Sequence, residues 1–283
     1  QMDLALDKGV NFFDTAELYP VPANAKTQGE TERIMGNWFK KTGNRSKIVL
    51  ASKAAGPGSY TAHIRENLCF NKANIIEALD NSLKRLQTDH IDLYYSHHDD
   101  KDVPIAETLG AYQTLITEGK IRYIGASQHT GARLQEALDI ATKENLPKYI
   151  CLQDQYNLME RNPFESEQQE VLATNGLSAL PFYSLARGFL SGKYRPGVTV
   201  DSVRADGVKD YQTDKGWAVV AALDEIAKAH NSSVSAIALA WLRSNPQVRT
   251  PIASARTVEQ LIEIIEVVHL SEFEVKKLNA ASA

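Results

Sequence analysis

Three features of the 283-residue chain predict an α/β fold built on a parallel sheet. Seven short β-rich runs alternate with helical stretches, the pattern left by βαβ units. The G-x-G-x-x-G fingerprint of an open dinucleotide-binding sheet is missing, and the GPG at 56–58 does not continue it. The chain also opens on a helix (2–9) and closes on two (258–268 and 271–279). An open doubly wound sheet and a closed (β/α)8 barrel both remain on these grounds. A TIM barrel short of its first strand would show this order of elements.

The elements follow in turn. The opening helix leads to a strand at 10–13 (VNFF). Thr27 and Glu30 read as a capping box for a helix carrying Ile34 and Trp38. IVLAS (48–52) is the next strand, and the helix over 72–87 places Ile75, Ile76, Leu79, Leu83 and Leu86 on one face. IDLYY (91–95) precedes a helix over 105–118, where Leu109, Tyr112, Leu115 and Ile116 gather and Gly119 supplies the stop. IRYIG (121–125), a helix over 131–143, YICLQ (149–153), a helix over 164–174 and SALPF (178–182) continue the alternation. Helices over 217–230 and 233–244 lead to the strand VRTPI (248–252). The longest connection, 183–216, has the length of a functional loop. No linker, repeat or low-complexity stretch interrupts this order, so residues 1–283 read as one barrel domain.

Composition narrows the function. With 43% hydrophobic and 23% charged residues, the chain has globular rather than disordered usage. Lys+Arg 31 against Asp+Glu 35 gives −4 with no long basic block, which disfavours a dedicated nucleic-acid surface. The two cysteines, Cys69 and Cys151, make no disulfide framework and suit a reducing, cytoplasmic setting. No apolar run approaches the ~20 residues of a membrane span, and no signal peptide is recognisable. The start at Gln1 instead of Met reads as that of a fragment.

In a barrel, catalytic groups stand at the C-terminal ends of strands. Asp14 and, one short turn on, Tyr19 follow VNFF; Lys53 follows IVLAS; His97 follows IDLYYS; Ser127 and Gln128 follow IRYIG; Gln153 ends YICLQ; and Tyr183 follows SALPF. Each has a bland reading: Asp14 as a helix cap, Tyr19 as a loop anchor, Lys53 as a solvated charge. HHDD at 97–100 invites a metal, but neighbouring strand residues point to opposite faces, and no H-x-H, H-E-x-x-H or C-x-x-C supports one. The bland readings leave unexplained why Asp, Tyr, Lys and His stand on three consecutive strand ends. A tyrosine with its usual pKa near ~10 is a poor acid at neutral pH. A nearby ammonium favours its phenolate, and a carboxylate keeps that ammonium charged and fixed. Such a set can protonate a carbonyl oxygen while a cofactor delivers hydride. No G-x-S-x-G is present, so acyl transfer is not indicated.

These residues resemble the aldo-keto reductase superfamily. FFDTAELY (12–19) is similar to its D-T-A-x-x-Y signature, and Lys53 of IVLASK and His97 of IDLYYSHH match the rest of its tetrad. The likeness continues through GKIRYIGAS, LQDQYNL, LARGFLSGKY, ALAWL and PIASARTVEQL, in order along the whole chain. AELYPVPANAKTQGETE and DNSLKRLQTDHIDLYY look like the bacterial Tas-type branch. The resemblance implies an eight-stranded barrel and an NADPH-dependent reductase of aldehydes or ketones. By that likeness Tyr19 is the general acid, Lys53 and Asp14 tune it, and His97 orients a small-molecule carbonyl substrate. Ser127, Gln128 and Gln153 match positions that hold the nicotinamide carboxamide, and Tyr183 the aromatic that stacks on its ring. Ser184, Leu185, Arg187, Gly188 and Lys193 lie on the loop expected to cross the pyrophosphate. Ser254, Arg256 and Gln260 match the 2′-phosphate and adenine end.

Departures from the family are also expected to matter. Gln128 replaces an Asn, Ile264 replaces the Asn that touches adenine, and Gln260 equally completes a capping box with Thr257. The family's N-terminal hairpin and first strand have no counterpart here, so strands 10–13 and 248–252 are expected not to pair directly. A cofactor-binding regulatory subunit with little turnover is the alternative function, since channel-associated β subunits resemble this family too. A homo-oligomer is compatible with either reading.

Overall fold

A computed structural model describes residues 1–58, 61–66, 68–198, 200 and 206–283. The expected functional loop 183–216 therefore lies partly outside the described residues. In chain order the elements are α1 (Met2–Asp7), β1 (Phe12–Asp14), α2 (Glu30–Thr42), β2 (Val49–Ala54), α3 (Lys72–Leu86), β3 (Ile91–Ser96), α4 (Ile105–Thr117), β4 (Ile121–Ser127) and α5 (Gly131–Glu144). They continue with β5 (Tyr149–Gln153), α6 (Gln169–Asn175), β6 (Ser178–Ala179), α7 (Asp214–His230), α8 (Val234–Arg243), α9 (Val258–Ile265) and α10 (Glu272–Ala281). Strand and helix alternate as the sequence predicts, and the chain divides into two compact units.

The first unit, Asn11–Gln153, holds β1 to β5 as a parallel sheet in chain order. Every residue of β3 is buried, as in a parallel strand covered on both faces. The helices between the strands end as their residues dictate. Asn71 and Thr130 cap α3 and α5 by accepting the Asn74 and Arg133 amides at 2.9 and 3.2 Å. Gly119, at φ 73°, follows α4 in the left-handed conformation that suits a stop. On α3 the buried face is Ile75, Ala78, Leu79, Ser82 and Leu86, while Ile76 and Leu83 sit at its margin. Helix α2 departs further from expectation. Gly29, not Thr27, stands at its N-cap, and Ile34 is half exposed. Its buried residues are Glu32, Met35, Gly36, Phe39 and, as expected, Trp38, so a carboxylate lies among them. A Cβ at Gly36 would lie 2.3 Å from the Arg85 carbonyl oxygen, so glycine is what lets α2 approach α3.

The second unit joins Gln1–Val10 to Asp154–Ala283. Helices α7 and α8 contribute its apolar interior, including Val219, Leu223, Ile226, Ile237, Leu239 and Trp241. Ser271 and Glu274 form a full capping box on α10. The two strands expected here are shorter than predicted. SALPF keeps two strand residues, and VRTPI makes a single parallel bridge, Val248 to Ala179. Pro181 and Pro251 have no N–H to give a ladder, so pairing survives only as separate bonds. Those bonds are Ala179 N to Gln247 O, Arg249 N to Ala179 O and Ile252 N to Pro181 O, at 2.7–2.9 Å.

Candidate active site

In the Asn11–Gln153 unit the strand register alone brings the predicted residues to one face. Asp14 pairs with Ala51, Ala51 with Leu93, Lys53 with Tyr95, Tyr95 with Gly125, and Ser127 with Gln153. Side chains alternate with period two, so Asp14, Lys53, Tyr95, Ser127 and Gln153 share a side of the sheet. Cys151, two residues before Gln153, lies on that side as well, 3.7 Å from the Tyr95 hydroxyl. Gly125 leaves room for this: a Cβ there would lie 2.5 Å from the Tyr95 ring.

Asp14 is the hub. One carboxylate oxygen receives the Lys53 ammonium in a short ion pair. The other accepts the Gln153 side-chain amide at 2.9 Å. Lys53 Nζ also donates to the Thr15 carbonyl at 2.8 Å, is hydrogen-bonded to the Tyr19 hydroxyl, and stands 4.9 Å from the Tyr19 ring centre. Burial by itself would depress the Lys53 ammonium, but Asp14 and then Tyr19 outweigh it and hold its pKa above the usual value. The lysine is thus a fixed cation beside the phenol. His97 meets Tyr19 edge to face, with ring centres 5.7 Å apart. Burial, then Lys53 and His98, pushes the His97 pKa well below the imidazole range, so the ring is neutral at physiological pH. Its Nδ1 is buried without a partner, as is Ser127 Oγ.

Two expectations change here. His97 and His98 do not diverge; their rings stack at 5.3 Å, because β3 has ended at Ser96 and strict alternation with it. Gln128, at φ 55°, donates its amide to the His97 carbonyl at 3.0 Å, so its side chain braces the histidine segment. Among the described residues, no three His, Cys, Asp or Glu side chains are grouped to hold a metal ion. Nor is any helix among them long and apolar enough to cross a membrane.

The remaining predicted residues belong to the other unit. Tyr183, Ala186 and Arg187, none of them glycine, have left-handed φ of 49°, 46° and 57°, and Gly188 follows at 98°. Such conformations are costly and cluster where a ligand is clamped. The Arg187 guanidinium lies 4.9 Å from the Tyr183 ring centre, and its Nε is buried without a partner. Ser184 Oγ donates to the Pro181 carbonyl at 2.9 Å. The Leu185 carbonyl accepts the Gly188 amide at 2.8 Å. Lys193 Nζ stands 5.1 Å from the Tyr194 ring centre, and a Cβ at Gly188 would come within 3.7 Å of it. Ser254, Arg256 and Gln260 are all exposed. Gln260 Oε1 accepts the Arg256 amide at 3.0 Å while Thr257 caps α9, so the expected capping box is shifted one residue outward.

The sequence reading missed a buried charge network behind Tyr19. Glu17 and Glu32 are fully buried. Glu17 takes a two-pronged bond from Arg65 at 2.6 and 2.9 Å, and Glu32 takes Arg85 Nε and Ser52 Oγ, both at 2.6 Å. The available signal was Glu32 itself, a carboxylate at helical spacing with Met35, Gly36 and Phe39.

The fit to a dinucleotide can be tested on orphaned atoms. Ser127 Oγ and Arg187 Nε are buried polar atoms without partners, and they are of the types that bind an amide and a phosphate. Comparison with known proteins agrees in kind. The Aldo/keto reductase family profile matches residues 1–283. Protein tas of Escherichia coli (strain K12) is 36% identical, covering 95% of this chain and 84% of its own. The uncharacterized oxidoreductase YrpG of Bacillus subtilis (strain 168) is also 36% identical, covering 95% and 81%. A Schizosaccharomyces pombe protein named "Putative voltage-gated potassium channel subunit beta" is 33% identical, covering 93% and 76%. With its Asp, Tyr, Lys and His side chains gathered at the ends of one sheet's strands and the turns beyond them, and this likeness running from end to end, the chain belongs to the aldo/keto reductase family.

Proposed function

We propose that the protein is an NADPH-dependent oxidoreductase that reduces aldehydes or ketones to alcohols. The reading takes residues 1–283 as one (β/α) barrel domain working in the reducing cytoplasm. The observation that carries it is the Asp14–Lys53–Tyr19 relay beside a neutral, buried His97. NADP(H), when bound, supplies the hydride. Tyr19 gives its phenolic proton to the carbonyl oxygen as the C–H bond forms, and the resulting phenolate is held by the Lys53 ammonium. Asp14 keeps that ammonium in place. For His97, an unpaired buried acceptor costs less than an unpaired donor, so Nδ1 is the bare nitrogen and Nε2 carries the proton. Nε2–H is then the donor that orients the carbonyl. Ser127 and the carbonyl oxygen of Gln153 would hold the nicotinamide amide. Tyr183 would stack on its ring, the 184–193 loop would take the pyrophosphate through Arg187 and Lys193, and Ser254 with Arg256 would take the 2′-phosphate.

A second reading rests on the channel-subunit relatives: a cofactor-binding subunit of the same fold with little turnover. One experiment separates the two. NADPH binding is measured by fluorescence quenching, then its oxidation by a panel of aldehydes is followed in single-turnover and steady-state modes. Comparable rates support the reductase. A single turnover followed by a stall supports the subunit, and absence of NADPH binding refutes both.

A further inference from the structure

We propose that Arg65 and Glu17 form a positioning pair that sets Tyr19 against Lys53. The proposal rests on the reductase reading for its kinetic consequence, but its structural part stands alone.

Strand β1 ends at Asp14, five residues before Tyr19. Beyond it the backbone stays tied to β2 by Thr15 N to Ala51 O at 2.9 Å and Glu17 N to Lys53 O at 3.3 Å. The next donor on that side, the Ala55 amide, is met by the Glu17 side chain at 2.6 Å instead of by a backbone carbonyl. The Glu17 carboxylate therefore replaces one rung of the ladder and fixes the Tyr19 turn two residues past Lys53. The turn itself is closed by Tyr19 N to Ala16 O at 3.1 Å.

A buried carboxylate needs a counter-charge to stay in that place. Arg65 supplies it from the β2–α3 connection, with both guanidinium prongs on Glu17 and a side chain almost fully enclosed. Burial works against the Arg65 charge, and Glu17 more than offsets it. The neighbours of Arg65 grip the same turn. Ile64 and Leu68 pack with Tyr19 and Ala23 against the buried cluster of Ala16, Leu18 and Ala55. The connection thus holds the Tyr19 turn by an ion pair to Glu17 and by apolar packing on the cluster that Tyr19 also covers. Neither Glu17 nor Arg65 reaches the reacting atoms in this scheme; they act through Tyr19. Misplacement by about 1 Å is enough to cost of order 100-fold in rate.

The test is a double-mutant cycle in the full chain, with Arg65→Met, Tyr19→Phe and both together. Aldehyde reduction and NADPH affinity are measured for each. The expected result is a kcat loss of about 10- to 100-fold for Arg65→Met alone, an NADPH Kd within about twofold of wild type, and almost no further loss in the Tyr19→Phe background. Arg65→Lys, which keeps the charge with fewer bonds, should fall between. Equal fractional losses in both backgrounds would overturn the proposal, because a merely structural arginine damages either enzyme alike. Hydrogen exchange gives a readout free of catalysis and of folding yield. Glu17→Gln keeps an acceptor for Ala55 but loses the ion pair. In it and in Arg65→Lys, amides 15–19 and Ala55 should exchange faster while those of β3 do not change. Unchanged exchange there would also overturn the proposal. A wild-type protein that binds NADPH but reduces nothing would refute the reductase reading, and the exchange experiment would still decide the pair.

Discussion

The candidate site residues on the sheet and those on the loops are built in opposite ways. On the sheet, Asp14, Lys53 and Gln153 are joined through hydrogen bonds, largely buried, and placed by strand register. On the 183–193 connection, Tyr183 and Arg187 sit in left-handed conformations, and a guanidinium nitrogen is buried without a partner. Ser254, Arg256 and Gln260 are exposed. The difference teaches where each kind of chemistry can reside. Proton transfer needs fixed distances, which a parallel ladder supplies. Holding a long, charged ligand needs unspent donors, which strained or exposed loops keep available.

The sharpest way to break this comparison is Tyr19→Phe. It should lower carbonyl reduction by about 10²–10⁴-fold and leave NADPH affinity nearly unchanged, because the phenol acts on the transition state. Reduction surviving above about a tenth of the wild-type rate would remove Tyr19 from the acid's role. Arg256→Ala is the loop-side counterpart. Losing a charge-assisted bond of about 1.5–3 kcal/mol should weaken NADPH binding about 10- to 150-fold, with NADH binding hardly altered. Equal wild-type affinities for NADPH and NADH would refute the assignment.

A third prediction concerns stability against pH. The folded-state pKa of His97 is depressed well below 6.5. Above about pH 6.5 the ring is neutral in both states and contributes no pH dependence. Below it the unfolded chain binds a proton that the folded chain refuses, so stability falls as pH falls. His98 and His129 shift in the same direction, burial being the main cause for each. Between about pH 6.5 and 5, His97→Gln should therefore flatten part of the Tm decline, not all of it. Parallel Tm–pH curves would show that His97 is not held neutral. The smallest effect is expected for Gln260→Ala, whose side chain accepts the Arg256 amide at the surface. It should cost less than about 0.5 kcal/mol of stability and leave NADPH affinity within about twofold. A larger rise in Kd would return Gln260 to the adenine site.

Much of this is legible in the sequence because it depends on local pattern. Strand runs, helix stripes and the order of Asp14, Tyr19, Lys53 and His97 all follow from residues near one another in the chain. Residue type alone stops the strands short of Asp14, Lys53 and Ser127, since polar residues at a strand's end resemble a loop until the register shows them facing inward. Apolarity puts Ile34 inside, although the buried stripe of α2 runs through Glu32. Pairings such as Glu17 with Arg65, 48 residues apart, leave no local trace. The stacking of His97 on His98 depends on where β3 stops, a boundary that alternation alone does not reveal.

The bond from Gln153 to Asp14 joins residues 139 positions apart. On a ribosome adding about 5–20 residues per second, Gln153 is made roughly 7–28 s after Asp14. Lys53 follows Asp14 by only 39 residues, so the ion pair has its members within about 2–8 s. Both members of the Asp14–Lys53 pair are therefore synthesised some seconds before the amide that bonds the other carboxylate oxygen. Gln153 completes the bonding of that carboxylate, and a chain stalled before that residue lacks this bond.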